Sequence, residues 1–240
     1  MLYVIGTPIG NLEDASYRAI RLLADVDALA CEDTRQTRKL LQRYEVAVPR
    51  ILLAYHEHNE ESAGEKILAL LAEGLKVALC TDAGLPGISD PGYRLVAACR
   101  ERGLPVEVIP GPDAVATALV SSGLPTSSFT FKGFPPRKAG QRRRFLEAER
   151  ESPHTLVLFE SPHRVGALLD DALAVLGNRL AAVCVELTKM FEQVDRGHLA
   201  VLARSYRGRQ VRGEITVVIA GSNPKFLGPE TETIGTALEQ

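Results

Sequence analysis

Residues 51–80 read ILLAYHEHNEESAGEKILALLAEGLKVALC, and the fold class turns on this stretch. A short apolar run, ILLAY, gives way to a polar turn. A helix-length segment follows in which Ile67, Leu68, Leu70 and Leu71 recur at three- and four-residue intervals, and a second apolar run, KVALC, closes it. Apolar recurrence near 3.6 residues marks one buried face of a helix. Short continuous apolar runs are the mark of strands covered on both faces, as in a parallel sheet. The stretch therefore predicts strand, helix, strand.

Outward from it the rhythm repeats. LYVIG precedes SYRAIRLLADV, DALAC precedes TRQTRKLLQRY, and KVALC is followed by a long loop, YRLVAACRERG, PVEVIP and PDAVATALVSSG. Such alternation predicts a mostly parallel sheet with helices on both faces. After SSGLPTSS come FTFKGF, a proline-rich basic loop, a charged helix, TLVLF, a helix from about Pro162, LAAVCVEL and GEITVVIAG, which predict a second, mixed sheet. The expected organisation is two α/β domains, 1–123 and 124–222, with a loose tail over 223–240. The junction is expected where Gly123 and Pro125 gather among small residues.

At 240 residues, 45% hydrophobic and 24% charged, the composition excludes a disordered or fibrous chain. No apolar run reaches the length of a membrane span. The start, MLYVIGTPIG, lacks the basic segment and long apolar core of a secretory signal, which predicts a cytoplasmic protein. Cys31, Cys80, Cys99 and Cys184 are scattered among apolar runs and read as buried side chains, not as disulfides or a zinc site. A net charge of −2 gives no global field towards nucleic acid, so local clusters must supply any such affinity.

Four loops follow apolar runs and carry more glycine, proline and polar residues than turning requires: GTPIGN, TDAGLPGISDPG, PGPDA and ESPHR. In an open α/β sheet, loops at the carboxyl ends of strands face the ligand crevice. The first matches neither G-x-G-x-x-G nor the P-loop pattern, and Pro8 removes an amide that a phosphate cradle would use. In the second, Asp82 has no helix directly after it and suits ligand contact, whereas Asp90 precedes Pro91 as an expected N-cap. HEHNE sets His56 and His58 on one face but offers no convincing third metal ligand, so no metal is expected. CEDTRQTRK places Glu32, Asp33, Arg35 and Arg38 at a strand end and helix start. Asp33 or Thr34 suits a cap, while Arg35 and Arg38, one turn apart, suit a phosphate. PPRKAGQRRR concentrates Arg137, Lys138, Arg142, Arg143 and Arg144 with little acid nearby, a pattern that favours RNA over a merely solvated helix face. VELTKMFEQ brings Thr188 and Lys189 to the end of an apolar run, where the lysine either orients a nucleophile or simply reaches water.

Taken in order, TPIGNLED, EDTRQT, HEHNE, DAGLPGISDPGY, PGPDA, GFPPRK, ESPHR, ELTK followed by FE, and the GE before the last strand resemble the tetrapyrrole methylase superfamily, and within it the branch acting on ribosomal RNA. The resemblance implies two α/β domains with S-adenosylmethionine held between them. It further implies transfer of the methyl group to the ribose 2′-oxygen of a cytidine in the decoding centre of 16S rRNA. Carried over by position, the cofactor contacts fall at Pro8, Asp82, Gly84, Asp113, Ala114, Phe159, Leu187, Thr188, Glu214 and Ile215. Leu85, Asp113 and Arg212 depart from the pattern, which more often has threonine, a small residue and lysine there. The expected catalytic candidates are Lys189, Glu32, Asp33 and His56. The expected partners are 16S rRNA, within the small ribosomal subunit, and a second copy of the chain as a homodimer. The rival readings are methylation of a small molecule such as a tetrapyrrole precursor, and an RNA-binding assembly factor without catalysis.

Overall fold

The computed structural model describes residues 1–228 and divides into two compact units, Met1–Asp113 and a second beginning at Ala114.

In the first unit, strands β1 (Leu2–Ile5), β2 (Ala28–Cys31), β3 (Ile51–Ala54), β4 (Val77–Cys80) and β5 (Val106–Ile109) form a sheet in the order β3-β2-β4-β1-β5. Every pairing in it is parallel. Because side chains alternate across a strand, the sheet feeds two cores. Leu2, Val4, Ala28, Ala30, Val77 and Leu79 meet α3 (Glu60–Ala72) and α4 (Tyr93–Glu101). Tyr3, Ile5, Leu29, Cys31, Ala78 and Cys80 meet α1 (Tyr17–Asp25) and α2 (Thr34–Arg43). Ser16 and Asp33 cap α1 and α2 through their side chains. The expected Asp90 cap is displaced: α4 starts two residues later than Pro91, behind Gly92 at φ +146°, a backbone conformation open to glycine but not to aspartate.

In the second unit, β6 (Phe129–Phe131), β7 (Thr155–Glu160), β8 (Leu180–Val185), β9 (Gln193–His198) and β10 (Ile215–Ile219) form a sheet in the order β6-β7-β10-β8-β9. β6 and β7 are parallel, and the other pairs are antiparallel. This is the mixed sheet predicted. One face packs on α6 (Ala139–Glu147), α7 (Val165–Leu176) and α8 (Leu199–Tyr206). α5 (Ala114–Ser121) packs against β10, and the Cys184 thiol points to the Ala118 carbonyl. Within the expected tail, 224–226 form a short 3-10 helix and Leu227 bridges to Arg179. Residues 229–240 lie outside the described residues. No helix among the described residues is long and apolar enough to cross a membrane.

Candidate active site

The carboxyl end of the first sheet is sewn together by backbone. Thr7 N–H donates to the Gly84 carbonyl at 2.9 Å and Gly84 N–H to the Thr7 carbonyl at 3.1 Å, so the loops after β1 and β4 form a bridge. The Thr7 hydroxyl, itself buried, donates to the Thr81 carbonyl at 3.1 Å. The loop after β5 closes from the other side: a Cβ on Gly111 would stand 2.7 Å from the Gly6 carbonyl oxygen, and one on Gly6 would stand 2.8 Å from Gly111 Cα. Only glycine permits this approach. Three of the four loops singled out by composition are thus joined, and Pro8 is buried among them.

Beside this floor, Asp82 Oδ1 accepts the Asp33 N–H at 3.2 Å, linking the ends of β4 and β2. Loss of water at its site raises the Asp82 pKa, with the Asp33 amide partly offsetting this. Glu32 is raised as well, by burial first and then by the Asp82 charge. His56 sits at the end of β3 with its ring 6.1 Å from that of His58, and its Nδ1 is buried without a hydrogen-bond partner. Asn59 holds this turn, accepting from His56 N–H at 2.8 Å and donating to the Ala54 carbonyl at 2.9 Å. Asp33 behaves differently from Glu32. Hydrogen bonds from the Arg35 guanidinium and Arg35 N–H pull its pKa down to about 2. Asp33 is consequently a cap for α2 and an anchor for Arg35. Arg38 is exposed on α2.

In the second unit the ends of β7, β8 and β10 lie together, with Glu160 and Val185 both in register with Ile215. Glu160 is buried, receives Ser161 N–H at 2.8 Å and Arg164 Nε at 2.6 Å, and keeps Oε2 without a partner. Phe159 stacks edge-on with Phe131 at 4.8 Å and leans on the exposed Phe134 at 5.6 Å. The turn after β8 holds two non-glycine residues in the left-handed region, Glu186 at φ 52° and Thr188 at φ 66°, around buried Leu187. Such conformations cost energy and persist only where surroundings hold them. Two side chains hold this turn: Lys189 Nζ lies 2.8 Å from Glu186 Oε1 and 2.9 Å from Glu214 Oε2, and the Glu192 carboxylate accepts the Thr188 N–H at 2.5 Å. Burial acts to lower the Lys189 pKa, but the two carboxylates more than offset it and the net shift is upward. Lys189 therefore ties the turn after β8 to the residue that leads into β10. Glu186 also accepts the Glu214 N–H at 2.9 Å, and Gly213 (φ +86°) leaves room for it, since a Cβ there would fall 2.1 Å from Glu186 Oε1.

The basic run separates into two kinds of residue. Arg142 is buried, and its guanidinium meets Asp171 Oδ2 at 2.6 and 2.8 Å, so it is a bolt between α6 and α7 and not, as expected, a free RNA contact. Arg143 shares the same carboxylate at 2.6 Å but is exposed, as are Arg137, Lys138 and Arg144. Sequence reasoning missed Glu160 and Arg164 individually, although ESPHR had marked their loop. It also missed the arginines at 207 and 209, which no motif flags. Among the described residues, no three His, Cys, Asp or Glu side chains are grouped to hold a metal.

The family model for Tetrapyrrole (Corrin/Porphyrin) Methylases matches residues 1–203. The chain is 48% identical over 224 residues to Ribosomal RNA small subunit methyltransferase I of Halalkalibacterium halodurans, covering 93% of this chain and 77% of that protein. It is 50% identical to the protein of the same name from Micromonospora olivasterospora (100% and 76%) and 43% identical to that of Thermotoga maritima (92% and 98%). Among solved structures, the methyltransferase CobJ superposes with a TM-score of 0.67 at 16% identity, covering 95% of this chain and 97% of that one. Uroporphyrin-III-C-methyltransferase from Thermus thermophilus gives 0.62 at 22%, covering 90% and 93%. At these identities the structural likeness speaks for the fold alone.

Proposed function

Because the chain belongs to the tetrapyrrole (corrin/porphyrin) methylase family, we propose that it methylates RNA of the small ribosomal subunit with S-adenosylmethionine, at the ribose 2′-oxygen of a decoding-centre cytidine. The observation that carries this reading is near-half identity, over nine-tenths or more of the chain, to proteins named for small-subunit ribosomal RNA methylation. We place the protein in the cytoplasm and as a homodimer on the same reading.

The residues of the first unit fit the cofactor. Gly6 and Gly111 bring the loops after β1 and β5 into backbone contact that a Cβ on either would block, and the Asp82 carboxylate stands at the end of β4. A sulfonium and a ribose diol call for carbonyl and carboxylate oxygens, and no phosphate cradle is required. The proposed contacts there are Pro8, Asp82, Gly84 and Asp113. In the second unit they are Ala114, Phe159, Leu187, Thr188, Glu214 and Ile215. When bound, the cofactor supplies an activated methyl group.

The chain's own task is to orient the hydroxyl and take its proton. Glu32 is the proposed acceptor: its raised pKa makes it a better base than Asp33, and Asp82 and His56 flank it. Lys189 is the proposed positioning residue that keeps the 186–188 turn in its strained form. Arg35, Arg38, Arg137, Lys138, Arg143 and Arg144 are the proposed phosphate contacts.

The test is mass spectrometry of small-subunit particles lacking the modification, incubated with the purified protein and methyl-labelled S-adenosylmethionine. Label on the 2′-oxygen of one decoding-centre cytidine is expected. Cofactor binding without any transfer to RNA would sink the assignment and turn attention to small-molecule acceptors.

A further inference from the structure

A cavity of about 560 Å³ opens in the second unit between the start of α7 and the loop joining α8 to β10. His163, Gly166 and Asp170 line one wall, and Arg207, Arg209 and Arg212 line the other. The ESPHR loop supplies His163 and Arg212 stands beside the GE pair, but no motif marked Arg207 or Arg209, and none of the RNA contacts proposed above belongs to this place.

The two walls are close-packed at one point, and the lining carries more positive than negative charge. A Cβ on Gly166 would stand 3.0 Å from the Tyr206 carbonyl oxygen, so the helix and the loop meet at backbone distance. Tyr206 is buried and donates its hydroxyl to Asp195, and Arg209 lies over its ring at 4.9 Å while holding Asp195 at 3.1 Å. Those contacts fix the loop from behind. Three arginines then face a single lining carboxylate, Asp170, which meets Arg207 at 2.8 Å. The Arg207 side chain is 72% exposed, so that pair is weakly held and a stronger acceptor can take its place. Arg212 is exposed and directly precedes Gly213 and Glu214, while His163 is three residues from Glu160. The cavity thus adjoins the strand ends that carry the proposed cofactor positions of this unit.

Guanidinium groups in a concave basic wall recognise phosphate oxygens, and a cavity of this volume takes a group of nucleotide size. We infer that this cavity seats a phosphodiester of the RNA flanking the target nucleotide, with Arg207 and Arg212 as its ligands and Arg209 as the fixed support. The inference rests on the proposed RNA substrate and specifies where that strand is gripped.

The experiment is titration of the full chain with a fluorescent single-stranded oligoribonucleotide at several salt concentrations, for wild type, Arg207→Gln/Arg212→Gln and Arg207→Lys/Arg212→Lys. Calorimetric S-adenosylmethionine binding and thermal melting are measured alongside. The Gln pair is expected to weaken RNA binding about 10-fold and to flatten the slope of log affinity against log salt by about 0.7, the value for one lost single-strand phosphate contact. Cofactor binding and melting are expected to stay put, and the Lys pair is expected to restore most of the slope. A Gln pair with an unchanged slope, against normal wild-type binding, overturns the cavity's role alone. A wild type that binds cofactor but shows no salt-dependent RNA binding overturns the RNA reading as well.

Discussion

Asp171 is the perturbation that best tests the division of the basic run. Its side chain is 5% exposed and that of Arg142 is 7% exposed, with contacts of 2.6 and 2.8 Å, so solvent screens the pair very little. Replacing Asp171 with leucine strands the Arg142 cation in the α6–α7 interface with only the Arg137 carbonyl for company. Removing one member of a buried pair costs about 3–5 kcal/mol. With roughly 4 °C of melting temperature per kcal/mol for a unit of this size, the expected drop is about 12–20 °C. Adding Arg142→Met removes the stranded charge and should return most of that loss, because apolar replacement of a whole buried pair is often neutral. Arg144→Ala, on the exposed face, should stay within about 0.5 kcal/mol. Circular-dichroism melts and urea denaturation of the four proteins measure all of this. A single Asp171→Leu protein that melts within about 2 °C of wild type, or a double variant worse than the single, would refute the reasoning.

Gly111→Ala forces a methyl to 2.7 Å from the Gly6 carbonyl oxygen, where no rotamer can relieve it; a stability loss of about 1–3 kcal/mol and weaker S-adenosylmethionine binding by calorimetry are expected. Lys189→Met should cost about 1 kcal/mol, and the cost should depend on pH. Burial acts to raise the Glu186 pKa, but Lys189 and the Glu214 amide more than offset it, so Glu186 contributes stability above its ordinary value of 4.5 and loses it as pH falls through the lowered one. Lys189 itself is raised and contributes below 10.5, losing that contribution as pH climbs through its folded value. The difference between wild type and variant, followed by denaturation across pH, should be flat between these limits and shrink on both sides. Glu32→Gln should lower the single-turnover methylation rate by about 100-fold or more with cofactor affinity retained. The wild-type rate should rise with pH through a value above 4.5, since Glu32 must be ionised to accept a proton; an unchanged rate in the variant would remove Glu32 from the chemistry.

The parallel sheet was legible because its strands are buried on both faces and carry little but apolar residues, as LYVI, ALAC and VALC show. β9 was not, since QVDRGH is an edge strand whose polar side chains give no alternating apolar signal. α5 continues the strand-helix rhythm of the first half, and only its packing on β10 reveals where it belongs. The same blindness governs the site. Arg142 and Arg144 are indistinguishable in QRRRF, and what separates them is Asp171, some thirty residues away on another helix. Lys189 was legible as a residue of interest but its role was not, because that depends on Glu214 arriving from a different strand.

The second sheet also bears on how two copies of the chain can meet. Its borders are β6, three residues long, and β9, which displays Asp195 and Arg196 among polar neighbours. Short or charged borders refuse an incoming strand. Pairing of two copies by extending this sheet across both molecules is thereby disfavoured, and contact between two copies through this unit falls to its helix faces and loops. Its strength is then set by side-chain fit, which single substitutions can tune, and not by a backbone ladder that would accept any extended chain.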